Sequence, residues 1–412
     1  MGCSSSSATI PEANVQKQRR RLSVGNVDTS EVHEADERAT QEDRGLIAQF
    51  NQKNLLDMIQ RDGQQKGRRN SAICSSTDQN PTSFANKTMQ QYGDELQAAQ
   101  HGLGYTCRKG LKPESPNQDS WCMLKTEDFS IYGVFDGHGQ KGHDVSNFVK
   151  DVLPKLIVSD PRAASSDQWS AILTDCFRKT QSMVNTSDKM KQLSRGAVFS
   201  GVVIQSGIGV KHRNAQMSGT TATLAVHDHR SDQITVGHVA DSTAVLGTKN
   251  SSSWEGVALT RDHKPNLKDE KARIEKAGGR VVFDGYANHR VYAKNARYPG
   301  LNMSRCIGDL LGHQDCGISC EPEIATVEPS NKERILFICS DGVWEFITPQ
   351  EAQLELGVFT AVTLIHHYGS SDAQKAADFL AKEAWDRWIR EEGGWNGSSD
   401  LRVEDDGTGV AG

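Results

Sequence analysis

"VFDGHGQKGHD" (residues 134–144) changes character within one residue. Val134 and Phe135 end the apolar run "FSIYGVF" (129–135), which reads as a buried strand; Asp136, Gly137, His138 and Gly139 follow at once. Beyond them, "GHDVSNFVKDVLPKLIV" puts Val145, Phe148, Val149, Val152, Leu156 and Ile157 on one helical face. A carboxylate at the end of a core strand is costly unless a cation or hydrogen bonds satisfy it. The same pattern recurs in "LFICSDG", where Asp341 ends a second apolar strand. Asp284 differs: it sits between "RVVF" and "HRVYA" and reads as a hairpin corner. Two acid-tipped strands that converge would suit a hard divalent cation such as Mg²⁺ or Mn²⁺. A glycine after the acid leaves its carbonyl free to turn toward the ion. His138 is of the type and spacing to donate a proton; the alternative is a hydrogen-bonding partner of a ligand carboxylate.

Working outward, "GTTATLAV", "QITVGHVADSTAVLG" and "RILFICS" read as strands, many joined by short turns. "WSAILTDCFRKTQSMV" and "SDAQKAADFLAKEAWDRWIREEG" read as amphipathic helices. The pattern predicts an α+β fold with antiparallel sheets and outer helices. Residues 1–100 are rich in Ser, Gln, Asn and charged residues and read as a mostly disordered tail, with a short helix over 45–61. The folded domain is expected over 101–412. Basic-Ser sites at Ser23 and Ser71 flank the short helix.

The chain has 412 residues, 36% of them hydrophobic, and a formal charge of -6, which argues against a general nucleic-acid binder. Nine cysteines without a Cys-x-x-Cys pair suit a reducing cytosol. No apolar run reaches the length of a membrane span. "MGCSSS" fits an N-myristoylation signal at Gly2, with Cys3 placed for a second acyl chain, and Lys17, Arg19, Arg20 and Arg21 form a basic group nearby. His313, Cys316 and Cys320 in "HQDCGISC" offer only three zinc ligands at unusual spacing and read as an inert loop.

A series of motifs then stands in one order: "PNQDSW" (116–121), "VFDGHG" (134–139), "SGTTATLAV" (218–226), "VGHVADSTAVL" (236–246), "LTRDHKP" (259–265), "EKARIEKAGGRV" (270–281), "LNMSRCIGD" (301–309), "PEI" (322–324), "FICSDGVWE" (337–345) and "EDDGT" (404–408). Together they resemble the metal-dependent Ser/Thr protein phosphatases of type 2C, over about residues 101–406. The resemblance implies a β-sandwich of two antiparallel sheets flanked by pairs of α-helices, with two Mg²⁺ or Mn²⁺ ions at one end that activate a water to attack phosphorus. It implies Asp136 as the bridging ligand, the Gly137 carbonyl beside it, Asp341 and Asp405 on the first metal, and Asp119 on the second. Asp406 is the alternative to Asp405. Asp241 matches a third, weaker metal position, although Glu345 stands where many members have Asp. Gln118 stands where many have Glu. His138 would protonate the leaving alkoxide. Arg108, with Lys109 and Lys112 as rivals, would grip the phosphate, because a guanidinium can take two of its oxygens.

The expectation is therefore a phosphatase of phosphorylated proteins, monomeric, cytoplasmic, and held at the inner face of a membrane surface by its lipids and basic residues. The competing expectation is a catalytically weak or inactive scaffold on the same fold. It draws on "EDDGTGVAG", which lacks the hydrophobic strand that follows the last acids in the family.

Overall fold

The computed structural model describes residues 29–59, 70–77, 85–96, 101–110, 116–165, 167–198, 215–250, 253–328, 334–347 and 373–392. Gly2, Cys3, the basic group, Ser23, Lys112, Asp405 and Asp406 lie outside them.

The acid-tipped strand is β4 (Phe129–Phe135), in the middle of a seven-stranded antiparallel sheet. Its neighbours are β1 (Ser71–Ser75), β2 (Met89–Gly93), β3 (Ser120–Lys125), β7 (Ala222–Asp228), β8 (Gln233–Val239) and β15 (Glu323–Val327), in the order β15-β8-β7-β4-β3-β1-β2. A second antiparallel sheet holds β9 (Thr243–Asn250), β10 (Ser253–Ala258) and β16 (Arg334–Cys339). Ala225, Ile234 and Val236 of the first sheet pack on Ala244, Leu336 and Ile338 of the second, which makes the sandwich.

Helices cover the outer faces. α3 (Gly142–Ser159) and α4 (Trp169–Val198) lie on the large sheet, and α3 buries Val145, Phe148, Val149, Val152 and Ile157, the face its 3.6-residue periodicity marks. α7 (Asp341–Trp344) and α8 (Ala373–Glu392) cover the second sheet through Trp344, Leu380 and Ala384 packed on Val245. Smaller elements follow: α5 (Lys268–Lys276); the sheet β11 (Gly279–Phe283), β12 (His289–Ala293) and β13 (Pro299–Leu301); and α6 (Leu310–Cys316). Asp284 forms the expected corner between β11 and β12, its carboxylate accepting from the N–H groups of Tyr286, Ala287 and Asn288.

The N-terminal boundary needs correction. The domain was expected from residue 101, but the sheet starts at Ser71, because β1 pairs with β3 and β2 with β1. Upstream, α1 (Thr29–Gln52) and α2 (Leu55–Ile59) replace the single helix expected over 45–61. Asn54 breaks it: its side chain accepts from Asp57 N–H, and Asp57 accepts from Asn54 N–H, each at 3.0 Å. That is a reciprocal cap, which starts a new helix. Ile47, Phe50, Leu56 and Met58 are buried in the main core, at about 1.5–3 kcal/mol for each side chain fully removed from water. Ser71, in the second basic-Ser stretch, is buried in β1 and donates to the Asp94 carbonyl. His313 in α6 pairs with the Cys306 carbonyl, consistent with an inert structural loop.

Candidate active site

Strand register brings the acids together. Ser120 pairs with Phe135, so Asp119 and Asp136, each one residue beyond that pair, leave the sheet side by side. Cys339 pairs with Thr243, so Asp341 and Asp241 leave the second sheet at its corresponding end. The Asp136 carboxyl contacts both Asp119 and Asp341. Burial, then the charges of Asp119 and Asp341, raise the Asp136 carboxyl well above the usual range. Burial and the neighbouring Asp241 raise Asp341 as well.

Hydrogen bonds fix this cluster. The Asp136 N–H donates to Thr221 Oγ at 2.9 Å, and the Thr221 and Ser242 hydroxyls share a hydrogen bond at 2.6 Å that ties the two strand ends together. Ser340 donates to Asp119 Oδ2 at 3.2 Å. Lys87 donates to the Asp119 carbonyl at 2.5 Å. Gln118 is a brace: its side-chain amide donates to the Gly139 carbonyl, and its own carbonyl accepts from Gly137 N–H and Ser146. Gly137 has no room for a side chain, since a Cβ would lie 2.5 Å from the Gly142 backbone.

His138 is placed by a small sheet of β5 (Gly137–His138), β6 (Gly219–Thr220) and β14 (Ile307–Gly308), ordered β14-β6-β5. It brings His138 Nε2 to 2.5 Å from Asp309 Oδ2, a residue buried to 1% exposure. Gly219 keeps that space open, because a Cβ there would strike Asp309 and His138. Burial alone would lower the imidazole's pKa, but Asp309, then Asp241 and Asp341, more than offset it and the net shift is upward. His138 Nδ1 is buried and has no partner among the described residues, so it is the ring nitrogen left for a substrate oxygen.

Asp241 carries an ion pair: Lys264 Nζ lies 2.5 Å from its Oδ2. An internal ammonium therefore sits at the carboxylate expected to hold a third metal. Arg108 lines the same cavity as Asp119, Asp136 and Asp341, about 670 Å³ in volume. The rival Lys109 is buried to 3% exposure. A second cluster, His238, His263 and Glu323, has a different character: Arg261 and Arg305 already hold Glu323, which makes it a brace.

Sequence reasoning named Asp119, Asp136, Gly137, His138, Asp241 and Asp341, and the structure gathers them at one end of the sandwich. It missed Asp309, Thr221, Ser242 and Lys264. Asp309 carried a faint signal, an acid directly after a glycine in "SRCIGD".

Residues 113–391 match the family described as Protein phosphatase 2C. Among curated proteins, the chain is 32% identical over 280 residues to the probable protein phosphatase 2C 73 of Arabidopsis thaliana, covering 66% of this chain and 69% of that one. It is 30% identical over 308 residues to the probable protein phosphatase 2C 72 of the same plant, covering 72% and 84%. Among solved structures, a serine-threonine phosphatase 2C from Toxoplasma gondii superposes with a TM-score of 0.50 at 19% identity, covering 67% of this chain and 86% of that one. That likeness is one of fold.

Proposed function

The chain belongs to the protein phosphatase 2C family, and from that premise we propose that it hydrolyses phosphoserine and phosphothreonine in proteins, using Mg²⁺ or Mn²⁺ held by Asp119, Asp136, the Gly137 carbonyl and Asp341. The observation that carries this reading is the apposition of the three carboxylates. Their burial and mutual repulsion are unfavourable without a cation, and hard oxygen donors suit these ions. Asp405, or Asp406 beside it, would add a further carboxylate.

When bound, two such ions would acidify a water for attack and offset phosphoryl charge. The protein's own groups do the rest. Thr221 and Ser340 fix the acids, so that little reorganisation remains when substrate arrives. Arg108 presents a guanidinium to the phosphoryl oxygens. His138, polarised by Asp309, delivers the Nδ1 proton to the departing Ser or Thr oxygen. Phosphate release from a phosphothreonine peptide, with Mn²⁺ and with EDTA, tests the reading. Release that persists in EDTA sinks it, and no release with any divalent ion leaves a binding scaffold.

On sequence grounds we also place this enzyme, as a monomer, at the cytoplasmic face of a membrane. A myristoyl chain on Gly2 gives only marginal binding, so a second signal is needed. Acylation of Cys3 and the basic group at Lys17, Arg19, Arg20 and Arg21 supply it. Gly2→Ala protein should move to the soluble fraction; its retention in the membrane pellet refutes the lipid anchor.

A further inference from the structure

The segment that carries Arg108 is fastened to α8 at four points. A Cβ on Gly104 would run into the Ala373 carbonyl, so the two backbones touch there. The Tyr105 N–H donates to Gln374 Oε1 at 3.1 Å, and Gln374 Nε2 donates back to the Tyr105 carbonyl at 2.9 Å. The Arg108 guanidinium carbon lies 4.3 Å from the centre of the Trp385 ring. Gly110 lies against the Trp388 ring, which again leaves no room for a side chain. Trp385 and Trp388 are three residues apart and share one helix face.

α8 is itself fixed to the acid cluster's side of the molecule. Arg387 donates to the Phe346 carbonyl at 2.9 Å, Phe346 stacks on Trp388, and Leu380 and Ala384 pack against Trp344. Trp344 belongs to α7, which begins at Asp341. One helix therefore holds both the acid-bearing turn and the arginine-bearing segment.

Arg108 makes no hydrogen bond or ion pair with the described residues, and its buried Nε has no acceptor. A guanidinium held over an indole ring by a cation–π contact, with no hydrogen bond or ion pair of its own, keeps N–H groups for an anion. We propose that Trp385 is a positioning residue: its ring holds the Arg108 guanidinium by a cation–π contact, with Gln374 fixing the chain behind it, so that the guanidinium N–H groups meet the substrate's phosphoryl group. This rests on reading the cavity as the phosphatase site and Arg108 as its anion anchor.

The test uses the full chain with saturating Mn²⁺, and reads KM for a phosphothreonine peptide and the inhibition constant of inorganic phosphate. Trp385→Ala should raise both by roughly 2- to 30-fold, the range of a cation–π contact. It should do so without moving the Mn²⁺ activation midpoint, and Trp385→Phe should restore most of the loss. Gln374→Ala, a milder change that removes only the amide clasp, should shift both constants the same way by less. In an Arg108→Ala background, neither substitution should have further effect. Shifts of undiminished size in that background overturn the proposal, as does a normal Trp385→Ala enzyme when Arg108→Ala alone is impaired. If Arg108→Ala leaves both constants unchanged, the anchor assignment itself fails, and the inference with it.

Discussion

Asp309→Asn isolates the contribution of the buried carboxylate behind His138. The substitution keeps the shape, and Asn tolerates the left-handed backbone that Asp309 adopts at φ 42°. It removes the charge 2.5 Å from His138 Nε2. Burial is the largest influence on this imidazole and lowers its pKa; Asp309 is the chief opposing one, and the net position is above 6.5. Without Asp309, the imidazole loses its chief opposing influence and its pKa falls. A close opposite charge shifts a pKa by about 1–3 units, each unit worth about 1.4 kcal/mol.

The sign follows from the role. A general acid must be protonated, so activity fades as pH rises through its pKa. The alkaline limb of Asp309→Asn should lie below that of wild type by about 1–3 units. At a pH above both limbs, kcat for a phosphothreonine peptide should drop about 10- to 1000-fold, the size of the pKa shift. An aryl phosphate leaves without a proton and should lose far less. The assay is kcat against pH for both substrates at saturating Mn²⁺, with thermal stability as a control. An unmoved limb, or equal losses on both substrates, refutes the acid role of the dyad.

Asp341→Asn should separate function from stability. Relieving like-charge repulsion should raise the melting temperature in EDTA, while activity falls by more than about 100-fold, since even outer partners of metal ligands cost 10–100-fold. Lys264→Met removes the ammonium at Asp241, so calorimetry should reveal an added weak Mn²⁺ site absent from wild type; unchanged stoichiometry contradicts that competition. Glu270 is buried, and although burial alone would raise its pKa, hydrogen bonds from Arg273, Arg305 and Ser304 hold it well below its ordinary 4.5. Its contribution is present above 4.5 and fades as pH falls through the range below, so Glu270→Gln should cost about 3–5 kcal/mol in neutral denaturant unfolding and much less in acid. A stability gap that does not narrow in acid would dismiss this linkage.

What the sequence disclosed and what it withheld have one physical origin. Asp136 and Asp341 were legible because a charge directly after an apolar strand is anomalous within a few residues of chain. β1 and β2 were not. β1 is a short strand edged by polar sequence, and β2 is exposed along its whole length, so neither shows the alternation that marks a half-buried strand. A helix near 45–61 is legible in the sequence, but its extension back to Thr29 and its docking are not, because Ile47, Phe50, Leu56 and Met58 are sparse among polar neighbours and pack on a core formed far downstream. Asp309 is the same problem in the site itself. Its local signal, an acid after a glycine in "SRCIGD", is too faint to separate it from an ordinary turn acid. Its meaning comes from β6, whose Gly219 lies between His138 on one side and Gly308 on the other. A side chain at Gly219 would occupy the space where His138 and Asp309 meet. The dyad is thus a property of three strands in register, and a chain read residue by residue carries only its parts.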